Sequence, residues 1–508
     1  SPDERNPDGT RRVNFSGPGL YTLPNWMLNL EEQINLSEDV RLLSNAYGEI
    51  DFLRYFSFKS AFSAQIVRSR HRKFNPSTTG SYDNVPPARQ TGYYHASSST
   101  YWTNENSLNF NKTFDEKHNV SALLGYSAQK NYQEWITLNG TEFPDDEISW
   151  LSAAATITQW DNSSNAWSMI SLFGRLNYDF KEKYLLSTSI RRDGSSRFGS
   201  KKRWGLFPSA SLGWIISEEG FAQNWPLISH LKLRAEYGIV GNNNIGNYTH
   251  YGNVYNTNYV FNNELVSGRS LSNLENNKLT WETTSGLNAG IDIYLLNDRI
   301  GLVADYYDKT TDNMLYQIDV PWGSGFSNIQ SNIGEIHTWG YEFSLNSRNF
   351  VKEFKWSTNM NISFPRNKVK QLGTNNVPIG AYGDWTGNVS RTAVGYPVGM
   401  FWGYISDGVY MTQEEFDTQP KHNTSQVGSA RYKDVSGPDG VPDGKITVED
   451  KTFIGNPNPD FIFGITNTFS YKNFSLDISA SGTFGNDVFR GSKEWSETLE
   501  GIFNIEKY

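Results

Sequence analysis

Residues 170–191 read ISLFGRLNYDFKEKYLLSTSIR, and the order of apolar and polar side chains in this stretch decides the fold. Ile170, Leu172, Gly174, Leu176, Tyr178 and Phe180 fall on one parity, and Ser171, Phe173, Arg175, Asn177 and Asp179 on the other. After a short turn at residues 181–183, Tyr184, Leu186, Thr188 and Ile190 alternate with Leu185, Ser187, Ser189 and Arg191. Side chains of a strand point alternately to its two faces, so a period of two with one apolar parity marks a strand. Two such runs around a short turn mark a hairpin.

The unit recurs along the chain. Residues 108–114 turn at 115–117 into 118–126, and 287–295 turn at 296–298 into 300–306. Residues 339–345 lead into 354–364, and 461–469 turn at 471–473 into 474–480. Between hairpins run long connections rich in Gly, Asn, Ser and Pro, such as 238–279, 309–334 and 366–459. Short turns at one end and long loops at the other, joined by arms of roughly ten residues, are the pattern of a transmembrane barrel whose long loops lie outside the cell. Rings collect beside the short turns, at Phe110, Phe114, Phe180, Tyr184, Trp356 and Phe469 among others, where a periplasmic girdle is expected. Soluble β-sandwich modules also alternate, but their strands are shorter and their connections do not sort by parity.

Composition agrees. Only 37% of the 508 residues are hydrophobic, yet aromatics reach 15%. Mean hydropathy is −0.58. No run of about 18 apolar residues exists, so no transmembrane helix is expected, and only a closed barrel could satisfy the backbone in lipid. Cysteine is absent, which excludes a disulfide scaffold and a cysteine nucleophile. The net charge of −9 offers no basic footprint for nucleic acid. No secretory signal precedes Ser1, so the chain is expected to be processed or partial. The fold expected is all-β: a large antiparallel transmembrane β-barrel, with about fourteen strands in this chain.

Several stretches closely resemble the SusC/RagA-type, TonB-dependent importers. They are 172–214 (LFGRLNYDFKEKYLLSTSIRRDGSSRFGSKKRWGLFPSASLGW), 231–243 (LKLRAEYGIVGNN), and the WETT and YYDKTTDNML runs within 279–315. NIGEIHTWGYEFSL at 332–345, GYPVGMFWGYISDG at 395–408 and residues 434–463, ending in IGNPNPDFIF, follow in the same order. The resemblance implies an outer-membrane barrel, not an enzyme, that imports oligosaccharides or peptides. It further implies a SusD-like surface lipoprotein as lid, and TonB–ExbB–ExbD energy delivered through a plug domain. The largest such barrels have about 22 strands around a plugged lumen. Residues 1–508 are therefore expected to be an incomplete barrel portion with long extracellular loops, lacking the plug, the TonB box and the last strands.

One segment invites a metal. Residues 434–450 read DVSGPDGVPDGKITVED. Setting Gly444 at position 6 of an EF-hand-type loop places Asp439 at 1, Asp443 at 5, the Lys445 carbonyl at 7, Thr447 at 9 and Asp450 at 12. Position 3 is Val441, so Asp434 or water would supply that ligand to a structural Ca²⁺. The alternative is a turn cluster in which Asp, Gly and Pro serve backbone geometry. Sugars stack on rings, so Trp102, Trp150, Trp160, Tyr251, Tyr255, Trp322 and Trp385, all expected in loops, are candidate substrate contacts. Each could equally belong to a lipid-facing girdle or a loop core. Arg191, Arg192, Asp193 and Arg197 form a charged cluster at a strand end whose simpler reading is interstrand charge pairing or a solvated loop.

No HExxH, GxSxG or P-loop is present, and the seven His are scattered. The competing class is a structural or adhesive outer-membrane barrel in a larger envelope complex. A third, a secreted carbohydrate-binding sandwich, predicts solubility without detergent.

Overall fold

A computed structural model gives the protein's fold and describes residues 3–16, 22–81, 84–373, 375–383 and 387–492. Fourteen strands form one sheet. They are β1 (Ile34–Phe52), β2 (Phe56–Asn75), β3 (Thr91–Phe114), β4 (His118–Thr141), β5 (Thr156–Phe180), β6 (Tyr184–Ser195) and β7 (Trp204–Ile215). Then follow β8 (Ile228–Asn242), β9 (Glu282–Leu295), β10 (Ile300–Asp312), β11 (Glu335–Val351), β12 (Phe354–Gln371), β13 (Phe461–Tyr471) and β14 (Phe474–Phe484). Each pairs antiparallel with its neighbours in sequence, so the sheet is one meander from β1 to β14. Among the described residues, β1 and β14 do not pair with each other.

The two ends of the sheet differ as the sequence pattern expects. At one end six of the seven connections have two to four residues. Two of them are type I′ turns: Lys117 N–H donates to the Phe114 carbonyl, and Lys183 N–H to the Phe180 carbonyl, both at 3.1 Å. Asp115, Glu116, Lys181 and Glu182 all have positive φ, the geometry whose twist matches the flanking strands. The exception joins β7 to β8 through a short 3-10 turn, Ile216–Glu218. There the Tyr184 hydroxyl and the Trp214 indole N–H both donate to Glu219, at 2.6 and 3.2 Å. At the opposite end every connection is longer, from the segment between Ser195 and Trp204 to that between Gln371 and Phe461.

Those loops carry structure of their own, which alternation alone did not reveal. The β8–β9 loop holds a hairpin, Val254–Phe261 with Glu264–Leu271, and the β10–β11 loop holds Leu315–Asp319 with Asn328–Asn332. The β12–β13 loop contains a four-stranded sheet, a further hairpin and the helix Gln413–Thr418.

The faces of the main sheet are inverted relative to a soluble protein. Val120, Tyr178, Leu186 and Leu212 form one cross-strand row, and Ser121, Asn177, Ser187 and Ser211 the next row on the other face. The apolar face is not covered by a second layer: Leu124 is 66% and Leu212 62% accessible, while Ser127 and Ser171 on the polar face are 4% and 1%. At the short-turn end, His118, Phe180, Tyr184 and Trp214 stand side by side on the apolar face, with ring centroids 4.8, 6.2 and 6.5 Å apart. A second group joins Phe354, Trp356 and Phe469. These rings form the girdle expected at a bilayer interface.

Several strands are much longer than a bilayer requires. β3 and β4 each have 24 residues and β5 has 25. A tilted strand crosses the hydrocarbon in about ten residues, so the loop-side halves of these strands stand above the membrane.

The inversion sets an asymmetric cost for charge. Leu124→Arg is expected to destabilise the barrel by about 2–4 kcal/mol, whereas Ser121→Arg on the opposite face should be nearly neutral. Urea unfolding in detergent, followed by the heat-sensitive gel mobility of the folded barrel, measures both; equal losses would contradict the assignment of faces.

Candidate functional site

The polar face lines the concave side of the sheet. A cavity of about 540 Å³ lies against it, lined by Asn111, Ser121, Asn177, Ser187, Ser211 and Glu236 among others. Near it one arginine ties three strands together. Arg234 on β8 donates to Asp292 on β9 at 3.2 Å and to Asp305 on β10 at 2.7 Å. It reaches β10 by passing over Gly290, which is paired with both Arg234 and Asp305. A Cβ at Gly290 would stand 2.5 Å from Asp305 Oδ1 and 2.6 Å from Arg234 Cζ, so the absence of a side chain there opens the crossing.

Above this region the outer loops fold inward onto the same face. Phe198, Phe207, Ile245, Leu279 and Trp281 form a buried cluster, with Met169, Ile239 and Leu315 packed against it. Trp281 donates its indole N–H to the Arg203 carbonyl at 2.9 Å. Arg197 donates to Asn247 Oδ1 and the Asn243 carbonyl, and its guanidinium lies 5.0 Å from the Trp167 ring. The charged cluster read from the sequence is thereby divided. Arg191 pairs with Asp193 at 2.8 Å, Arg197 belongs to the loop core, and Arg192 lies over the Trp204 ring at 4.7 Å.

The segment 434–450 is closed by its own carboxylates. Asp450 is fully buried and accepts from the N–H groups of Val435 (2.9 Å), Ser436 (3.2 Å) and Thr447 (2.7 Å). Burial alone would push its carboxyl up, but those three donors and a bond with Asp434 outweigh it and hold the group below the ordinary aspartate range. Asp434 accepts from Asp443 N–H and Gly444 N–H, at 3.3 and 2.6 Å. Asp443 accepts from Lys445 N–H at 3.0 Å, Thr447 caps the 3-10 turn Val448–Asp450, and Asp439 is exposed. Among the described residues no three His, Cys, Asp or Glu side chains converge as metal ligands. Asp434, Asp443 and Asp450 thus each accept from backbone N–H groups of the segment itself.

The seven aromatic candidates are scattered rather than gathered. Trp102 lies within β3, not in a loop, on the outward parity, with its ring 6.3 Å from Phe62. Trp160 also lies within a strand, β5, and is 78% exposed. Trp150 is in the β4–β5 loop with Arg72 3.9 Å above its ring. Tyr251 packs on His250 in the β8–β9 loop, and Tyr255 belongs to that loop's hairpin. Trp322 begins a 3-10 turn in the β10–β11 loop, and Trp385 falls outside the described residues.

The rings that do face inward were missed. Tyr101 on β3 and Trp167 on β5 flank Asn131 on β4, with ring centroids 6.1 Å apart. The Tyr101 hydroxyl donates to Gln129 Oε1 at 2.6 Å. Further out, Trp135 on β4 donates to Asp161 on β5 at 3.0 Å, and Tyr93 packs against His71 at 5.3 Å. The signal was available: extending the parity of residues 170–180 back along β5 puts Trp167 with the polar residues.

Comparison with known proteins bears on what this arrangement does. A family model described as TonB dependent receptor-like, beta-barrel, matches residues 2–447. TonB-dependent receptor P39 of Formosa agariphila is 33% identical over 94% of this chain and 48% of its own length. TonB-dependent receptor SusC of Bacteroides thetaiotaomicron is 33% identical over 67% of this chain and 34% of its own. The solved structure of the RagAB peptide transporter superposes with a TM-score of 0.84 at 23% identity, covering 97% of this chain and 53% of that one, a likeness of fold. The chain spans about half the length of the curated relatives it matches.

The Asp450 carboxylate gives the β12–β13 loop a pH dependence. Because its folded pKa is depressed, its contribution is complete above the unfolded value and is lost as pH falls through the folded one. Hydrogen exchange, corrected for intrinsic rates, should show Val435, Ser436 and Thr447 losing protection below the ordinary aspartate range. Asp450→Ala should cause the same loss at neutral pH, at a local cost of about 2–3 kcal/mol for the orphaned donors. Unchanged protection in the variant would refute this role.

Proposed function

Because the chain belongs to the TonB-dependent receptor-like β-barrel family, we propose that it is the wall and outer mouth of an energised nutrient importer. The family's barrels lie in the outer membrane and are transporters rather than enzymes. The observation that carries the proposal is the inverted sheet: its apolar face is exposed, its polar face lines a cavity, and ordered loops fold over the same polar side. A passive adhesive barrel needs no such furnished interior.

In this reading the complete protein takes up oligosaccharides or peptides, with a SusD-like surface lipoprotein as lid. Energy from TonB–ExbB–ExbD reaches the barrel through a plug domain. SusC is among the curated relatives, and RagAB, which shares the fold, is described as a peptide importer. The remaining half of the relatives' length leaves room for the plug and the strands that would complete the barrel.

The full-length protein, purified in detergent, is expected to carry a lipoprotein partner at a total mass well above 57.7 kDa. Cells lacking TonB should fail to accumulate a substrate that wild-type cells import. Uptake that survives TonB deletion, or a purified protein without a lipoprotein, would favour the structural or adhesive barrel.

A further inference from the structure

We infer that the loop-side edge of the β6–β7 hairpin binds the phosphate of an anionic lipid in the outer leaflet of the membrane. The inference goes beyond import: it needs the barrel's place in the outer membrane and no particular cargo.

β6 and β7 have 12 residues each, half the 24 of β3 or β4, so they end where the bilayer does. Trp214 of the short-turn girdle and Trp204 lie on the same outward parity of β7, at opposite ends of the strand. At about 3.3 Å per residue and a tilt of about 40°, their separation spans ~25 Å of the membrane normal, the height of a barrel's apolar band. Trp204 therefore stands at the outer interface. Between the two rings the outward positions of β7 are Leu206, Pro208, Ala210 and Leu212, and those of β6 beside them include Leu186, Thr188 and Ile190. None of these is charged.

At the level of Trp204 the character changes. Arg192 is the one outward charge on β6, and Lys201, Lys202 and Arg203 immediately precede Trp204. All four are exposed, and none forms an ion pair among the described residues. The Trp204 ring lies across Gly194, where an added Cβ would stand 2.8 Å from it, and the Arg192 guanidinium is 4.7 Å from the ring centroid. The connection itself is held in place. The Arg203 carbonyl accepts from Ser195 N–H at 3.2 Å and from the Trp281 indole at 2.9 Å, and Lys202 N–H donates to the Gly199 carbonyl at 3.0 Å.

The surrounding carboxylates are engaged elsewhere. Asp193 is on the inward parity and paired with Arg191. Glu275 in the β8–β9 loop accepts from Asn277, with Lys278 close by in sequence, and Glu282 accepts from Asn242 and Leu315 N–H. The outward parity of β5 brings no charge. Four cations without a counter-charge, at the rim of a lipid-facing surface, match an anion that the membrane itself supplies. A lipid phosphate offers oxygens to the guanidinium and ammonium groups, while its acyl chains lie on Leu172, Ile190, Leu206 and Leu212 beneath.

The test is native mass spectrometry of the full-length transporter in non-ionic detergent, titrated with bisphosphorylated lipid A, with the same lipid stripped of phosphate, and with inorganic phosphate. The phosphorylated lipid should be retained at least about tenfold more tightly than the stripped one, and inorganic phosphate should not displace it. Lys201→Gln combined with Lys202→Gln, and separately Arg192→Gln, should each weaken retention about tenfold, as should high salt on the wild type. Lys112→Gln, an outward cation at the short-turn end of β3, should leave retention unchanged. Heat-sensitive gel mobility identifies the folded variants, and the lysine pair, on an exposed connection, tests the site even if Arg192→Gln does not fold. Equal retention of the two lipids, displacement by inorganic phosphate, retention indifferent to the lysine pair, or an equal loss in Lys112→Gln would overturn the inference.

Discussion

The structure depends on one constraint: inside lipid, a backbone N–H or C=O has no water to bond. Each unpaired group there costs several kcal/mol, so the chain can cross only where both edges of every strand are satisfied. The unbroken antiparallel ladder from β1 to β14 meets that demand for the twelve strands between its ends. It also dictates the connectivity, because neighbours in sequence that pair antiparallel can be joined by turns of two to four residues. Once the ladder is fixed, side-chain parity follows, and with it the separation of Leu124 and Leu212 from Ser121 and Ser211.

That separation explains how a chain with 37% hydrophobic residues is stable without an ordinary core. The buried apolar cluster described, around Phe198 and Trp281, is small and lies where the loops meet the loop-side ends of the strands. The membrane supplies the environment that a second layer of protein would otherwise supply, and the rings from His118 to Trp214 sit where that environment changes to water. The concave side remains polar because it is never exposed to lipid, and cross-strand links such as Arg234 to Asp305 can be placed there without a partner layer.

What the sequence revealed and what it hid divide at the membrane surface. Where one face meets lipid, alternation is strict, and residues 170–190 give both strands and their turn. Above the membrane both faces of a strand meet water or loop, so residues 93–106 (YYHASSSTYWTNEN) show no apolar parity although all lie in β3. Trp102 was therefore expected in a loop, and Trp167 was not assigned to the interior at all. The Asp-rich segment differs in kind. Spacing placed oxygen atoms at intervals suited to a cation, but Asp434 and Asp450 turn them onto backbone amides, a choice that only the three-dimensional path of residues 434–450 reveals.

The loop-side extension of the strands and the inward folding of the loops are two parts of one arrangement. Strands that ended at the bilayer would leave loops to form any vestibule, and free loops hold ring positions poorly. By carrying Tyr101, Trp135 and Trp167 on a continuous hydrogen-bonded sheet, the protein fixes their spacing through backbone register. The loops then supply what the sheet cannot, closure over the mouth. Arg197 is where the two meet, bonded to the β8–β9 loop and lying on the Trp167 ring. That contact ties the loop core to the sheet at the level of the Tyr101–Trp167 pair, so the position of the loops over the polar face is set by the same backbone register that sets the rings.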